Sequence, residues 1–250
     1  MPAQRIRQRG LSLVELLVAL VLSSILILGV SQMFLDHRRN YLFQQGQLAN
    51  QENARFAARF IEQLAVRAGY RARPEAQGRE EAFPALPARS GCPAFAAGET
   101  LKLIESGARA SLCVRYQRGF EVQEADCEGN PLAFSNEPLN VLARLSLDRT
   151  SGRIGCASIV EGGVADSAGS SVLDGLLDFS VQPLPGKNAK VQALSIALLF
   201  ASERGQRDGV VSDVPQHWRA LTGRNPTLGA NDSRLFHISQ ASVALRSLSL

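Results

Sequence analysis

Hydrophobic side chains are concentrated in one run near the N-terminus, and they alternate with polar ones only further along the chain. Residues 11–35 read LSLVELLVALVLSSILILGVSQMFL, an apolar stretch interrupted by serines, one glycine and one glutamate. As a helix with a rise of 1.5 Å per residue, this stretch is roughly 37 Å long and can cross the ~30 Å hydrocarbon core of a bilayer. The pattern predicts a helix that spans a membrane once.

The next segment continues the helix in amphipathic form. Residues 36–69 are rich in good helix formers, and Phe56, Phe60 and Leu64 recur at a spacing of four. Gly69 is typical of a helix C-terminus. We therefore expect a single helix of about 55–58 residues, whose second half packs its aromatic stripe on a sheet.

Beyond residue 73 the apolar positions follow a period of two, which is typical of strands. Seven strands are predicted, over residues 101–105, 112–122, 139–147, 154–160, 177–184, 191–200 and 237–248. The strand at 191–200 is apolar on both faces, which favours a sheet with the helix on one side and loops on the other. Segments 74–100 and 203–234 are predicted to be long connections. The fold class is α+β, with a long N-terminal helix packed on an antiparallel sheet.

Charge is distributed unevenly along the chain. The 27 basic and 23 acidic side chains give a net charge of +4. Residues 36–73 contain seven arginines and three acids, whereas the chain beyond residue 73 is slightly acidic. Because a nucleic-acid-binding domain normally presents a basic face on its folded part, no direct nucleic-acid partner is expected.

The N-terminal apolar run has two interpretations. One is a secretory signal peptide, cleaved near residues 29–31. Against it, the run is about twice the usual length of a signal-peptide core. Glu15 also lies inside the run, where a carboxylate is unfavourable by up to ~2.5–3.5 kcal/mol at the centre of a span and needs a partner. The sequence favours a retained membrane helix.

The residues before and inside this run form a specific motif. The sequence RGLSLVELL over residues 9–17 resembles the class III leader of type IV pilins and type II secretion pseudopilins. The resemblance implies that a prepilin peptidase removes residues 1–10 by cutting between Gly10 and Leu11, and then methylates the new N-terminus at Leu11. Leu11 stands where the family usually has Phe.

The same resemblance gives Glu15 a role in assembly. When such helices bundle into a filament, the terminal amine of one subunit can lie against Glu15 of another. Two groups that are costly alone in lipid then neutralise each other. Glu15 is accordingly expected to be an assembly residue.

A second motif narrows the resemblance. QENARFA over residues 51–57, followed by RAGY over 67–70, is similar to the PilW family of minor pilins. This implies a pilin-like protein with a leader (1–10), a membrane and filament-core helix (11–35), its amphipathic continuation (36–69) and a β-rich periplasmic globular domain (70–250). Arg71 and Ala72 depart from the Gly-Cys pair often found after the tyrosine.

The PilW resemblance also implies a function, partners and a location. The expected function is that of a structural subunit in a minor-pilin complex, which primes assembly of a type IV pilus and can lie at its tip. The expected partners are the prepilin peptidase, other minor pilins, the major pilin and the inner-membrane assembly machinery. The protein would span the bacterial inner membrane once, with its C-terminal domain in the periplasm, before entering the pilus.

Three alternatives are kept. A minor pseudopilin of type II secretion, of the J class, shares the leader. A secreted binding module would lose the apolar run as a signal peptide. A membrane-anchored enzyme is the third and is disfavoured for lack of catalytic residues.

The four cysteines all follow the apolar helix: Cys92, Cys113, Cys127 and Cys156. No CxxC pair is present, so a zinc site is not expected. In an exported body they favour two disulfides, with four buried reduced thiols as the alternative. Three pairings are possible. An apparent hairpin around residues 118–119 favours Cys113 with Cys127, which leaves Cys92 with Cys156.

Candidate catalytic groups are few. His37, His217 and His237 are the only histidines, and they are widely separated in the sequence. No G-x-S-x-G elbow occurs, and the Gly186-Lys187 pair lacks the upstream glycine of a phosphate loop. The sequence predicts a protein that is not an enzyme, with no catalytic residue, metal site or cofactor.

Overall fold

The computed structural model describes residues 12–119, 124–132, 136–161, 169–185, 191–205, 213–226, 228 and 232–245. The helices are α1 (Leu13–Val66), α2 (Arg79–Ala82) and α3 (Val214–Thr222). The strands are β1 (Leu101–Ser106), β2 (Arg109–Gln117), β3 (Asn140–Asp148), β4 (Arg153–Val160), β5 (Ser170–Asp174), β6 (Leu176–Pro185), β7 (Val191–Gly205) and β8 (Arg234–Ala244). Residues up to Gln45 and residues from Gly46 onward form two separate compact units.

Helix α1 confirms the prediction of one long helix. It contains 54 residues and continues through Gly29 and Gly46 without interruption. After Val66 the chain turns, and Gly69 adopts a φ of 74°. This left-handed conformation favours glycine. The Gly69 N–H donates to the carbonyl oxygen of Arg115 at 2.9 Å, which joins the helix end to β2.

The strands form two antiparallel sheets. The first has the order β1-β2-β3-β4-β5 and the second the order β6-β7-β8, so neighbours in space are also neighbours in sequence. The chain moves from one sheet to the other at Gly175, which has a φ of 92°. Its carbonyl accepts a hydrogen bond from the Ala201 N–H at 3.1 Å, which holds the crossing against β7.

The predicted aromatic stripe is only partly the buried face of α1. Half of the buried positions are alanines, in the set Asn50, Ala54, Ala57, Ile61, Leu64 and Ala65. Phe56 is 50% exposed, and its ring stacks on that of Phe60 with centroids 5.9 Å apart. Each step of four residues rotates the position by about 40° around a helix, so a stripe of spacing four drifts off the buried face. The prediction was right for Leu64 and wrong for Phe56.

Both sheets contribute to one hydrophobic core with the second half of α1. In β2, Leu112, Val114 and Tyr116 face this core, and Leu194, Ile196, Leu198 and Phe200 do so in β7. The opposite face of β7 is also buried, but a helix covers it rather than loops. Ala197 and Leu199 pack there against Trp218 of α3. The prediction that 203–234 is only a connection was therefore wrong.

Several strand ends and one whole strand differ from the sequence prediction. Strand β2 ends at Gln117 rather than at residue 122, and β8 begins at Arg234 and ends at Ala244. Strand β5 was missed because its sequence, SSVLD, is short and mostly polar, and its side chains are exposed or half-buried. A short, polar edge strand gives little periodic signal.

The disulfide pairing differs from the favoured one. The structure joins Cys92 to Cys113 and Cys127 to Cys156, each with a Cα–Cα separation of 6.0 Å. Alternation along the strands explains this, because Cys113 faces away from the main core and Cys156 faces into it. Within the described residues, β2 ends at Gln117 and pairs with β1 and β3, which leaves it no hairpin partner after residues 118–119. The predicted Cys113–Cys127 and Cys92–Cys156 pairs were wrong.

The segment before β1 covers the outer face of the first sheet around a buried arginine. The Arg115 side chain is fully buried, and Glu161 is 12% exposed. Two parallel bonds join them, from Nε to Oε1 at 2.7 Å and from Nη2 to Oε2 at 3.1 Å. The guanidinium carbon also lies 5.6 Å and 5.5 Å from the ring centroids of Phe83 and Phe95. This buried ion pair anchors residues 83–99 on β2.

A second charged cluster ties the two sheets together. Arg149, in the turn after β3, bonds Asp178 of β6 through Nε and Glu105 of β1 through Nη2 at 3.1 Å. Asp178 also accepts a bond from the Trp218 indole at 2.8 Å. Partial burial raises the pKa of Glu105, but the hydrogen bonds and charges of Arg224 and Arg149 outweigh it and bring this pKa below its usual value. The charged groups of this cluster therefore find their partners within the cluster itself.

Candidate functional site

The first half of α1 is an apolar surface that its own unit leaves uncovered. The large hydrophobic side chains from Leu13 to Leu35 are all more than half exposed. This is the single helix in the described part of the chain that is long and apolar enough to cross a membrane, and its place near the N-terminus is also that of a signal sequence. So much apolar surface is unfavourable in water, because burial is worth about 25 cal/mol per Å². The segment requires lipid or other helices around it.

Two serine hydroxyls within this segment are satisfied locally. The hydroxyl of Ser23 donates to the Ala19 carbonyl at 2.6 Å, and that of Ser24 to the Val21 carbonyl at 2.8 Å. At the start of the helix, the Leu16 N–H donates to the Ser12 carbonyl at 3.1 Å. A spanning helix must satisfy its polar groups internally, and these bonds do so for the two serines and for the first turn of the backbone.

Glu15 lies in the first turn of α1 and is exposed. It is the single charged residue between positions 11 and 35, and it forms no ion pair with any residue that the structure describes. The partial positive charge of a helix N-terminus favours a carboxylate there. In lipid this is not enough, so Glu15 needs a cation from elsewhere.

Charged residues mark the other end of the apolar segment. Asp36, His37, Arg38 and Arg39 follow directly after Leu35. The rise from Glu15 to Asp36 is about 31 Å at 1.5 Å per residue, which matches the thickness of a hydrocarbon core. The helix therefore presents charge at both boundaries of a bilayer and none between them.

The other predicted site residues belong to other parts of the chain. Gly10 and Leu11 lie outside the described residues, and the four cysteines are all in the body. His217 is on α3, where Nδ1 lies 2.9 Å from the Asp213 carbonyl oxygen, and His237 is on β8. The described ranges contain no group of three or more His, Cys, Asp or Glu side chains that could hold a metal.

One feature that sequence reasoning missed is a groove of about 370 Å³ between α1 and β8. Its lining residues are Gln51, Ala54, Arg55, Ala58, Arg59, Glu62, His237 and Ser239. Partial burial lowers the pKa of His237, so its imidazole is neutral near pH 7. The sequence feature that could have indicated this groove is the pair of arginines at a spacing of four, which lie off the apolar stripe of the helix.

Comparisons with known proteins agree with the N-terminal motif and the fold. The sequence profile of the family described as "Prokaryotic N-terminal methylation motif" matches residues 5–31. No curated protein matches the chain significantly in sequence.

Among solved structures, the chain resembles the type IV-like pilin TTHA1219 from Thermus thermophilus. The TM-score is 0.52 at 17% sequence identity, and the alignment covers 81% of this chain and 98% of that one. At this identity the likeness concerns the fold. The chain thus combines a prepilin N-terminal methylation motif with a type IV pilin-like fold, a long helix packed on antiparallel sheets, and this supports a pilin or pseudopilin subunit.

Proposed function

We propose that this protein is a minor pilin of a type IV pilus, of the PilW type. The observation that carries the proposal is the uncovered apolar half of α1 with its one carboxylate in the first turn, on a pilin-like body. A helix of this kind can rest in the inner membrane and later exchange lipid for neighbouring helices. The work of assembly comes from the inner-membrane machinery.

In the proposed pathway the leader, residues 1–10, stays in the cytoplasm and the body crosses to the periplasm. A prepilin peptidase cuts between Gly10 and Leu11 and methylates the amine of Leu11. That amine then pairs with Glu15 of a neighbouring subunit, which removes two unpaired charges from an apolar surrounding. Two disulfides suit a body that folds in an oxidising compartment.

Mass spectrometry of the native chain tests this proposal. We expect a mature N-terminus at N-methylated Leu11, and recovery of the chain with sheared pili. A start near Gln32 would instead support a secreted module, and an intact Met1 an ordinary membrane anchor. Recovery only with components of type II secretion would identify a J-class pseudopilin, which shares the leader.

The variant Glu15→Ala separates processing from assembly. We expect cleavage at Gly10 to remain at the wild-type level, because the leader is unchanged. The amount in sheared filaments should fall by about tenfold, since a neighbour's amine is left without a counter-charge. The measurement is a quantitative immunoblot of the membrane and filament fractions, with the variant as the only copy of the gene.

Glu52→Ala is the matched control, because Glu52 is another exposed acid of α1, in its amphipathic half. It should enter filaments at close to the wild-type level. Equal recovery of the Glu15 and Glu52 variants would remove Glu15 from the assembly step.

A further inference from the structure

The groove between α1 and β8 combines one flank of a helix with the edge of a sheet. On α1, Gln51, Arg55 and Glu62 lie on the same flank at spacings of four and seven. Across the groove, His237 and Ser239 come from β8, which is an edge strand of the second sheet. The short side chains of Ala54 and Ala58 leave the space between these walls open.

Charge in this groove is not balanced within the described residues. Arg55 and Arg59 are both exposed, and no carboxylate of the described ranges forms an ion pair with either of them. Six arginines elsewhere in the body do have such partners: Arg109, Arg115, Arg149, Arg153, Arg224 and Arg234. With Glu62 as the one acid in the lining, the groove has a net positive charge.

When subunits assemble, the unbalanced positive charge of this groove becomes less favourable. The inference rests on the proposed function, in which α1 is surrounded by neighbouring subunits. Exposed arginines are well solvated in water, but they lose that solvation when another protein covers them. A covered charge without a partner is strongly unfavourable. A neighbour that covers this flank is therefore favoured when it supplies a carboxylate.

We propose that the groove is a docking site for an acidic segment of a neighbouring pilin-like subunit, whose carboxylates pair with Arg55 and Arg59. Guanidinium groups suit this task, because each binds a carboxylate through two parallel hydrogen bonds. Ser239 adds a hydroxyl to the opposite wall, and the neutral imidazole of His237 leaves the positive charge to the arginines. Such complementarity selects which subunit can stand beside this one.

Site-specific photo-crosslinking in cells tests the docking site on the full chain. A photoreactive amino acid replaces Ser239, and the crosslinked peptides are identified by mass spectrometry. We expect them to come from another chain that carries a prepilin leader, within a stretch containing Asp or Glu. In the double variant Arg55→Glu/Arg59→Glu, the yield of this crosslink should fall by about tenfold or more.

Arg109→Glu is the matched control, since the Arg109 side chain is 77% exposed and lies on β2, away from the groove. It should leave the crosslink unchanged. Trp218 fluorescence verifies that each variant is folded, because this indole is fully buried and is the one tryptophan of the chain. Replacing the partner's acid with arginine should restore the crosslink to the double variant.

A crosslink that survives charge reversal overturns the docking site. A crosslink to a segment without acids, a crosslink to lipid alone, or the absence of any crosslink also overturns it. In each sample the N-terminus and the filament fraction are measured as well. If the wild-type chain is processed at Leu11 and found in filaments, such results reject the groove alone. If it is neither, the proposed function fails with it.

Discussion

Gly10→Ala is expected to leave the chain at its precursor length in the inner membrane. The proposed cleavage lies directly after Gly10, where a peptidase must approach the backbone closely. A residue without a Cβ permits that approach, and even a methyl group obstructs it. Intact-mass measurement of the membrane fraction should show the ten-residue leader retained on nearly every chain, and filaments should lack the variant.

The matched control is the same substitution at another glycine of the N-terminal region. A Cβ at Gly29 would meet nothing within 4 Å, so Gly29→Ala is sterically tolerated in the isolated subunit. It should be processed like the wild type. Normal processing of Gly10→Ala would contradict the cleavage site and the assignment of residues 1–10 as a leader.

Arg115→Met should cause the largest loss of stability in the body. The substitution leaves Glu161 nearly buried without its cation, and removing one partner of a buried pair costs about 3–5 kcal/mol. It also releases Phe83 and Phe95 from the guanidinium that they enclose. Urea unfolding of the detergent-solubilised full chain, followed by Trp218 fluorescence, measures the change in the free energy of unfolding.

Two further variants show whether burial of the ion pair causes this loss of stability. Arg109→Met breaks a pair with Asp148 at 3.2 Å, in which the Arg109 side chain is 77% exposed. Its cost should be only about 0–1 kcal/mol. Arg115→Met/Glu161→Met removes both charges and should regain part of the loss, because no uncompensated ion remains. Similar losses for Arg115→Met and Arg109→Met would argue against the buried pair as the anchor.

The N-terminal helix could be predicted well from the sequence. A spanning helix follows from the number of consecutive apolar residues, and its end near Gly69 from local backbone preference. These are properties of neighbouring residues, so no distant contact changes them. The position of Glu15 in the first turn follows in the same way.

The body was predicted less well, because its details depend on contacts between distant segments. The buried face of α1 consists of Asn50, Ile61, Leu64 and three alanines rather than Phe56, because residues of both sheets pack against that face. Helix α3 was missed, although it places Trp218 over β7 and next to Asp178. Periodicity shows that both faces of β7 are buried, but it cannot say what covers each face.

The disulfides and the groove show where local pattern stops being informative. Four cysteines in the body indicate two bonds, but the pairing depends on which face of its strand each cysteine occupies and on the segment that crosses that face. Likewise, Arg55 and Arg59 are visible in the sequence, but the groove that they line forms only when β8 is placed beside α1. The order of residues along the chain determines the membrane helix and its motif. The three-dimensional arrangement of the sheets determines the surface that a neighbouring subunit can contact.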